Sequence, residues 1–154
     1  MKNRRLIKVL AITLLTVISA ATTSCKDDLE EDNISKYDII NYKWHLTKFV
    51  DIANDIEKLP QMNSNNVYWI KFDLKEDKFT GHSYSNSIGG DYKMDLERKE
   101  IVFSNMVGNQ IYELYDGDKF VDLLLLVRNF HLSGDTLRLL YNNKMNYMQF
   151  EKLD

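Results

Sequence analysis

The sequence has 154 residues and a formal net charge of −3, with 20 basic residues against 23 acidic ones. Residues 1–24 hold four of the basic residues and no acidic one, so the chain without them carries a formal charge of −7. Binding to a phosphate backbone needs clustered Lys and Arg, and this balance excludes nucleic acid as an expected partner. The length beyond a short leader suits one domain of about 100 to 200 residues.

The chain begins with the pattern of a signal peptide. The stretch “MKNRRLIK” carries four cations, and the apolar run “VLAITLLTVISAA” follows it. A membrane-spanning helix needs roughly 20 apolar residues, and this run is shorter. We therefore predict that residues 1–24 are a signal peptide that is removed on export.

Cys25 is the only cysteine, so it cannot form a disulfide within the chain. The stretch “TTSC” resembles the lipobox of bacterial lipoprotein precursors, with Thr22 where leucine is usual. The resemblance implies that Cys25 is acylated, for example with palmitate, and becomes the new N-terminus. Two or more acyl chains hold a protein stably on a membrane. The alternative is an ordinary secretory signal that leaves an exposed thiol.

The residues after Cys25 predict a tether. The run “KDDLEEDN” lacks the apolar residues needed for packing, so residues 25–41 are expected to be a solvated, flexible linker. The acidic run is similar to the surface-export signal of Bacteroidetes lipoproteins, and a plain linker is the other interpretation. Together with an acylated Cys25, this tether predicts an outer-membrane lipoprotein, on the cell surface or on the periplasmic face.

The region from about Tyr42 onward is predicted to be mainly β, because apolar residues recur at every second position between Gly and Asn turns. The stretch “WHLTKFV” predicts a strand. Trp44, Leu46 and Val50 are expected on its buried face, and Phe49 on the opposite face.

Residues 51–67 contain the only proline and a cluster of Asn and Ser, and predict a long surface connection with a helical turn around Ile56. The stretch “VYWIKFDL” then alternates clearly and predicts a strand that buries Ile70 and Phe72. A polar turn and a short strand follow in “KEDKFTGHSY”, and “SNSIGGDYKMDLERKEIVFSN” predicts a hairpin.

The period changes at “GDKFVDLLLLVRNF”, which predicts a short helix. Asp118 is its expected cap, and Phe120, Leu124 and Val127 form its buried stripe. The remaining residues, 127–153, predict two more hairpin turns. The predicted fold class is mainly β (α+β): an antiparallel meander or partly closed sheet with one short helix packed on it before the C-terminal hairpin.

The order and the residues together resemble the META domain, the family of the heat-shock lipoprotein HslJ. The pieces that carry the resemblance are “YKWHL”, “IKFDLKEDKFTGHSYSNSIGGDYKMD”, “IVFSNM”, “DGDKFVDLL” and “FHLSGDTLRLLYNNKMNYMQFEK”. The resemblance implies a small β-rich domain with one helix over residues 42–154. It also implies no disulfide here, because Ser85 replaces the cysteine that often precedes the turn asparagine.

Patterns with possible chemistry all have a structural alternative. The stretch “GHSYS” approaches the G-x-S-x-G nucleophile motif but lacks the last glycine, and we expect a turn. His45, His82 and His131 show no metal-ligand spacing. The stretch “DLKEDKFTG” lacks the ligand alternation of a calcium loop. We therefore expect no catalytic residues, no metal and no cofactor, and no enzymatic activity.

Two apolar features suggest binding. Trp69 and Tyr84 would form an aromatic platform for a sugar ring if both faced outward, and core packing is the alternative. The run “LLLLV” of the helix would either dock a partner or, as we expect, pack on the sheet. The leading prediction is a non-enzymatic, lipid-anchored envelope protein that binds a protein or envelope component. The alternative is a surface module that binds a carbohydrate or small ligand for nutrient uptake.

Overall fold

A computed structural model describes residues 35–62, 68–109 and 111–153. Its helices and strands are, in chain order, α1 (Lys36–Ile40), β1 (Lys43–Asp51), β2 (Ile56–Lys58), β3 (Trp69–Asp73), β4 (Lys78–His82), β5 (Ser87–Asp95), β6 (Glu100–Gly108), α2 (Gly117–Leu126), β7 (Asn129–Ser133), β8 (Thr136–Tyr141) and β9 (Asn146–Leu153). The predicted signal peptide, the acylation site at Cys25 and the acidic run lie outside the described residues. Within them, no helix has the length and apolar character of a membrane span.

The strands form one antiparallel sheet in the order β2-β1-β3-β4-β5-β6-β7-β8-β9, and β1 also pairs with β9. β3 and β2 follow one another along one edge of β1, while β9 occupies its other edge. The sheet therefore closes on itself, which removes most free strand edges. The fold is mainly β, as predicted.

Alternation decides which side chains fill the interior. In β3, Ile70 and Phe72 are buried while Lys71 and Asp73 are exposed, so the predicted strand is confirmed. Aromatic rings pack against one another in the core: the centroids of Phe72 and Tyr92 lie 5.0 Å apart in an edge-on arrangement. Such contacts add stability beyond the area they bury.

β1 follows the predicted pattern only up to its middle. Trp44 and Leu46 are buried, but the register with β9 shifts between Leu46 and Lys48, which marks a bulge. An extra residue reverses the alternation of side chains. Phe49 therefore joins the core cluster, so the prediction for Phe49 was wrong. Val50 is buried, as predicted.

Two predictions about local structure before β3 were also wrong. The tether was predicted to extend to residue 41, but Lys36–Ile40 form a helix capped by Ser35, and Ile39 is fully buried. The indole Nε1 of Trp44 donates a hydrogen bond to the carbonyl of Ile39 at 2.6 Å, which fixes the helix on the domain. Around Ile56 the chain forms the short strand β2 instead of a helical turn.

The predicted helix is confirmed as α2, with two differences. Its N-cap is Asp116, and Asp118 lies in the first turn. Phe120 and Leu124 are buried as predicted, yet the apolar run does not pack completely, because Leu125 is 39% exposed and Leu126 is 53% exposed.

In the sequence, α2 connects β6 and β7, which are the neighbouring strands with the shortest pairing in the described sheet. The register of these two strands contains a single pair, Glu100 with Asn129. Among the described strands, none pairs with residues 102–108 on the side of β6 that faces away from β5. A bulge also bends β6 at Asn105, whose φ is 48°. Gly90 lies opposite this bulge, where a Cβ would approach the carbonyl oxygen of Ser104 to 2.7 Å.

Candidate functional site

The connection between β6 and α2 is held by a buried polar network. Ser83 is fully buried and Asn86 is 4% exposed, both in the turn between β4 and β5. The carboxylate of Glu113 accepts hydrogen bonds from the hydroxyl of Ser83, from the amide N–H of Ser85 at 2.9 Å, and from Nδ2 of Asn86 at 2.6 Å. Hydrogen bonds to a charged group are the stronger kind, so Glu113 fastens the connection to the turn.

Both ends of the segment 111–116 are fixed by further side chains. The amide of Asn86 donates to the carbonyl of Ile111 at 2.8 Å and accepts from its N–H at 3.0 Å, so it pairs with this backbone as a strand would. At the other end, Asp116 accepts from the N–H of Gln61 at 2.7 Å and from Nζ of Lys58 at 3.3 Å.

Tyr68 completes the attachment of Asp116. Its hydroxyl donates to the carbonyl of Gln61 at 2.9 Å and accepts from the N–H of Asp116 at 3.2 Å. Burial raises the pKa of Tyr68 to about 12, although the hydrogen bond from the N–H of Asp116 opposes part of the increase. The phenol therefore stays neutral at ordinary pH and keeps its donor.

The fixed segment presents large apolar side chains to solvent. Tyr112 is 82% exposed, and Ile111, Leu114 and Tyr115 are also exposed. Clustered exposed apolar side chains on a soluble surface mark interaction sites more often than single ones do. The polar network holds the segment in place, so these side chains are displayed on an ordered backbone.

A groove of about 390 Å³ lies between the end of β6 and α2, next to this segment. We call it the β6–α2 groove. Its apolar lining consists of Ile88, Met106, Val107, Ile111, Val121 and Leu125. Its charged lining consists of Glu113, Asp118 and Asp122, and no Lys or Arg of the described chain lines it. The volume is at the lower end of the range of about 300 to 1,000 Å³ for ligand sites, and the groove suits an apolar group that carries positive charge.

Ser83 and the three histidines were the residues considered for catalysis or metal binding. Ser83 is buried and donates to Glu113, so its oxygen is neither exposed nor next to an imidazole in the network. The three histidines lie on separate strands, His45 on β1, His82 on β4 and His131 on β7. In the parts of the chain that the structure describes, no group of three His, Cys, Asp or Glu side chains is placed to hold a metal.

The aromatic residues predicted to bind a sugar do not form an outward-facing pair. Tyr84 is 4% exposed and packs on Tyr68 and on Tyr115, whose ring centroid is 4.5 Å away. Trp69 is half-buried on β3, and Nζ of Lys43 lies 3.9 Å from its ring centroid.

His45 and His82 are both opposite Trp69 in the strand register. Nε2 of His45 is buried without a hydrogen-bond partner. Burial lowers the pKa of His45 below its ordinary value of 6.5, and the charge of Glu151 partly opposes this. The imidazole is therefore neutral at pH 7, which suits a packed side chain.

Sequence reasoning missed the residues that build the site. In the sequence, Ser83 and Asn86 fall in a predicted turn, and Glu113 belongs to no recognisable motif. One signal was present: Glu113 is an isolated carboxylate within the apolar stretch “IYELY”. Its partners, 27 to 30 positions earlier in the chain, come close only through the fold.

No protein-family model matches this sequence, and no curated protein does. The fold itself has counterparts among solved structures. A protein from Burkholderia xenovorans, solved by NMR, superposes with a TM-score of 0.59 at 12% identity, over 75% of this chain and 83% of its own. A crystal structure of a DUF4847 family protein from Bacteroides vulgatus gives a TM-score of 0.56 at 18% identity, over 75% of this chain and 96% of its own. These similarities establish a shared fold.

Proposed function

We propose that this protein is a non-enzymatic, lipid-anchored protein of the cell envelope that binds a protein partner at the β6–α2 groove and the adjoining segment 111–116. The carrying observation is that buried polar groups hold an exposed apolar segment beside an acid-lined groove. A buried network of this kind is costly unless every member is satisfied. Here the hydrogen-bond network orders the surface segment 111–116.

The anchor rests on the sequence alone. The signal-peptide pattern, the lipobox-like “TTSC” and the acidic run after Cys25 support attachment to the outer membrane. The likeness of residues 42–154 to the META domain stays part of the proposal. A surface carbohydrate module, the alternative, loses support because Tyr84 is buried.

The anchor is tested by replacing Cys25→Ala and separating membranes from soluble material. The variant should leave the membrane fraction, while Ser24→Ala, which retains the thiol and a small neighbouring residue, should remain in it. Membrane association of the Cys25→Ala protein would contradict lipid anchoring. Protease treatment of intact cells then distinguishes the cell surface, where the domain is digested, from the periplasmic face, where it is protected.

The binding surface is tested by photocrosslinking in cells. A photoreactive benzoylphenylalanine replaces Tyr112 in one variant and Tyr37 in a control, since both side chains are exposed, 82% and 63% respectively. A discrete protein adduct from position 112 that is missing from position 37 is the expected result. Equal labelling at both positions, or none at position 112, would refute the groove as the binding surface.

A further inference from the structure

We propose that the partner presents an extended segment with alternating apolar and basic side chains, which pairs with the open edge of β6 inside the β6–α2 groove. This inference rests on the proposed function, because it names the kind of partner that the same surface fits. Three features of the described residues support it: an unpaired edge of β6, the apolar lining of the groove, and the acidic side chains that line the same groove.

The edge of β6 is available for pairing. The N–H of Ile101 donates to the carbonyl of Arg128 at 3.0 Å, which is the last described contact of this kind along the edge. Because backbone groups alternate between the two sides of a strand, those of Phe103 point the same way. Residues 102–108 have no strand partner there among the described residues.

The open edge carries few of the features that normally prevent pairing. Proteins protect free edges with charged side chains, proline or bulges. Residues 102–108 read “VFSNMVG” and contain no charged residue and no proline. The bulge at Asn105 bends the strand, and the residues beyond it, Met106 and Val107, form a wall of the groove. An added strand would therefore place alternate side chains on this apolar wall.

The charge of the groove selects a basic segment. Asp118 and Asp122 are exposed, lie four residues apart on α2 and form no ion pair with a described residue. Like charges at this spacing destabilise a helix. Lys119, between them in sequence, does not neutralise them, because its Nζ lies 3.8 Å from the ring centroid of Phe49. Basic side chains of a partner would relieve this repulsion.

The test measures binding of short synthetic peptides to the full chain, purified in a non-ionic detergent. The first probe is a fluorescein-labelled hexapeptide of alternating Lys and Val. The second replaces Lys with Glu, and the third is the Lys–Val peptide N-methylated at alternate residues, which removes backbone donors while keeping charge. We expect saturable binding of the first peptide, none of the second, and at least about a tenfold loss of affinity for the third, because it cannot form all the backbone hydrogen bonds.

Charge recognition is tested on the protein side with the double variant Asp118→Asn, Asp122→Asn. It should weaken binding of the Lys–Val peptide by about 2- to 30-fold, the range for two exposed ion pairs. The control Glu76→Gln, Glu97→Gln removes two exposed carboxylates outside the groove and should bind as the unmodified chain does.

Each opposite result overturns a stated part of the inference. Equal binding of the N-methylated peptide would refute strand pairing, and equal binding of the Glu–Val peptide would refute charge selection. Self-association that the Asp118, Asp122 double variant abolishes would identify a second copy as the occupant instead. If no peptide binds, the inference fails, and the adduct at position 112 decides separately whether the proposed function stands.

Discussion

Replacing Asn86→Ala should both destabilise the protein and release the segment 111–116. The side chain makes two hydrogen bonds to the backbone of Ile111 and one to the carboxylate of Glu113. A neutral hydrogen bond contributes about 1 kcal/mol and one to a charged group about 1.5 to 3 kcal/mol. Water from the adjoining groove can replace some of these hydrogen bonds, so we expect the free energy of unfolding to fall by about 3 kcal/mol. That is a large share of the total, which is typically about 5 to 15 kcal/mol.

The assay is urea unfolding followed by tryptophan fluorescence, together with amide hydrogen exchange. The control Asn54→Ala removes an exposed side chain whose Nδ2 donates to Asp51, and it should change the free energy of unfolding by less than about 0.5 kcal/mol. Exchange at the amide of Ile111, which loses its acceptor, should rise more than exchange in the β8–β9 hairpin. A loss below about 1 kcal/mol with unchanged exchange at Ile111 would show that Asn86 does not hold the segment.

Three further predictions concern other single substitutions in the domain. Phe72→Ala should cost about 3 to 5 kcal/mol in a chemical melt, because the ring is 3% exposed, and an unchanged melt would contradict the burial that β3 imposes. The pKa of Tyr68 rises from 10.0 to about 12, so the unfolded state releases this proton first and stability should fall as pH rises through that window. In the Tyr68→Phe variant, the free energy of unfolding should fall less steeply between pH 10 and pH 12. An equally steep fall in the variant and in the unmodified protein would refute this role of Tyr68. Gly90→Ala should be more destabilising than Gly89→Ala by about 1 to 3 kcal/mol. The reason is that the added Cβ would lie 2.7 Å from a backbone oxygen at position 90 but 3.1 Å from one at position 89. Equal thermal melts of the two variants would show that the backbone at the bulge shifts to accommodate the Cβ.

Local pattern was sufficient where one face of an element is buried and the chain is regular. β3 and its alternation were predicted from “VYWIKFDL”, and the buried stripe of α2 from the spacing of Phe120 and Leu124. The prediction failed where neighbours impose an irregularity. The bulge in β1 depends on the register with β9, about a hundred positions away, so nothing near Phe49 in the sequence indicates that its side chain enters the core.

The candidate site was beyond local reasoning for a similar reason. Asn86 and Glu113 are ordinary turn and loop residues until β4, β5 and β6 bring them within hydrogen-bond distance. Leu125 is 39% exposed, although its neighbour Leu124 in the same apolar run is fully buried. When a helix is apolar almost all round, its sequence does not indicate which of its apolar side chains remain exposed. That depends on which strands pack against the helix.

The sequence by itself determined the mainly β class, the position of the helix and the acidic balance, because each follows from composition or from spacing along the chain. It also supplies the prediction of a lipid anchor at Cys25, which rests on residues next to one another. Only the tertiary structure decided that the sheet closes through β1 and β9. It also decided that, among the described residues, part of β6 has no strand partner on one edge and the charged side chains lining the groove are all acidic. These features depend on contacts between residues distant in sequence, whose geometry is set by packing rather than by local preference.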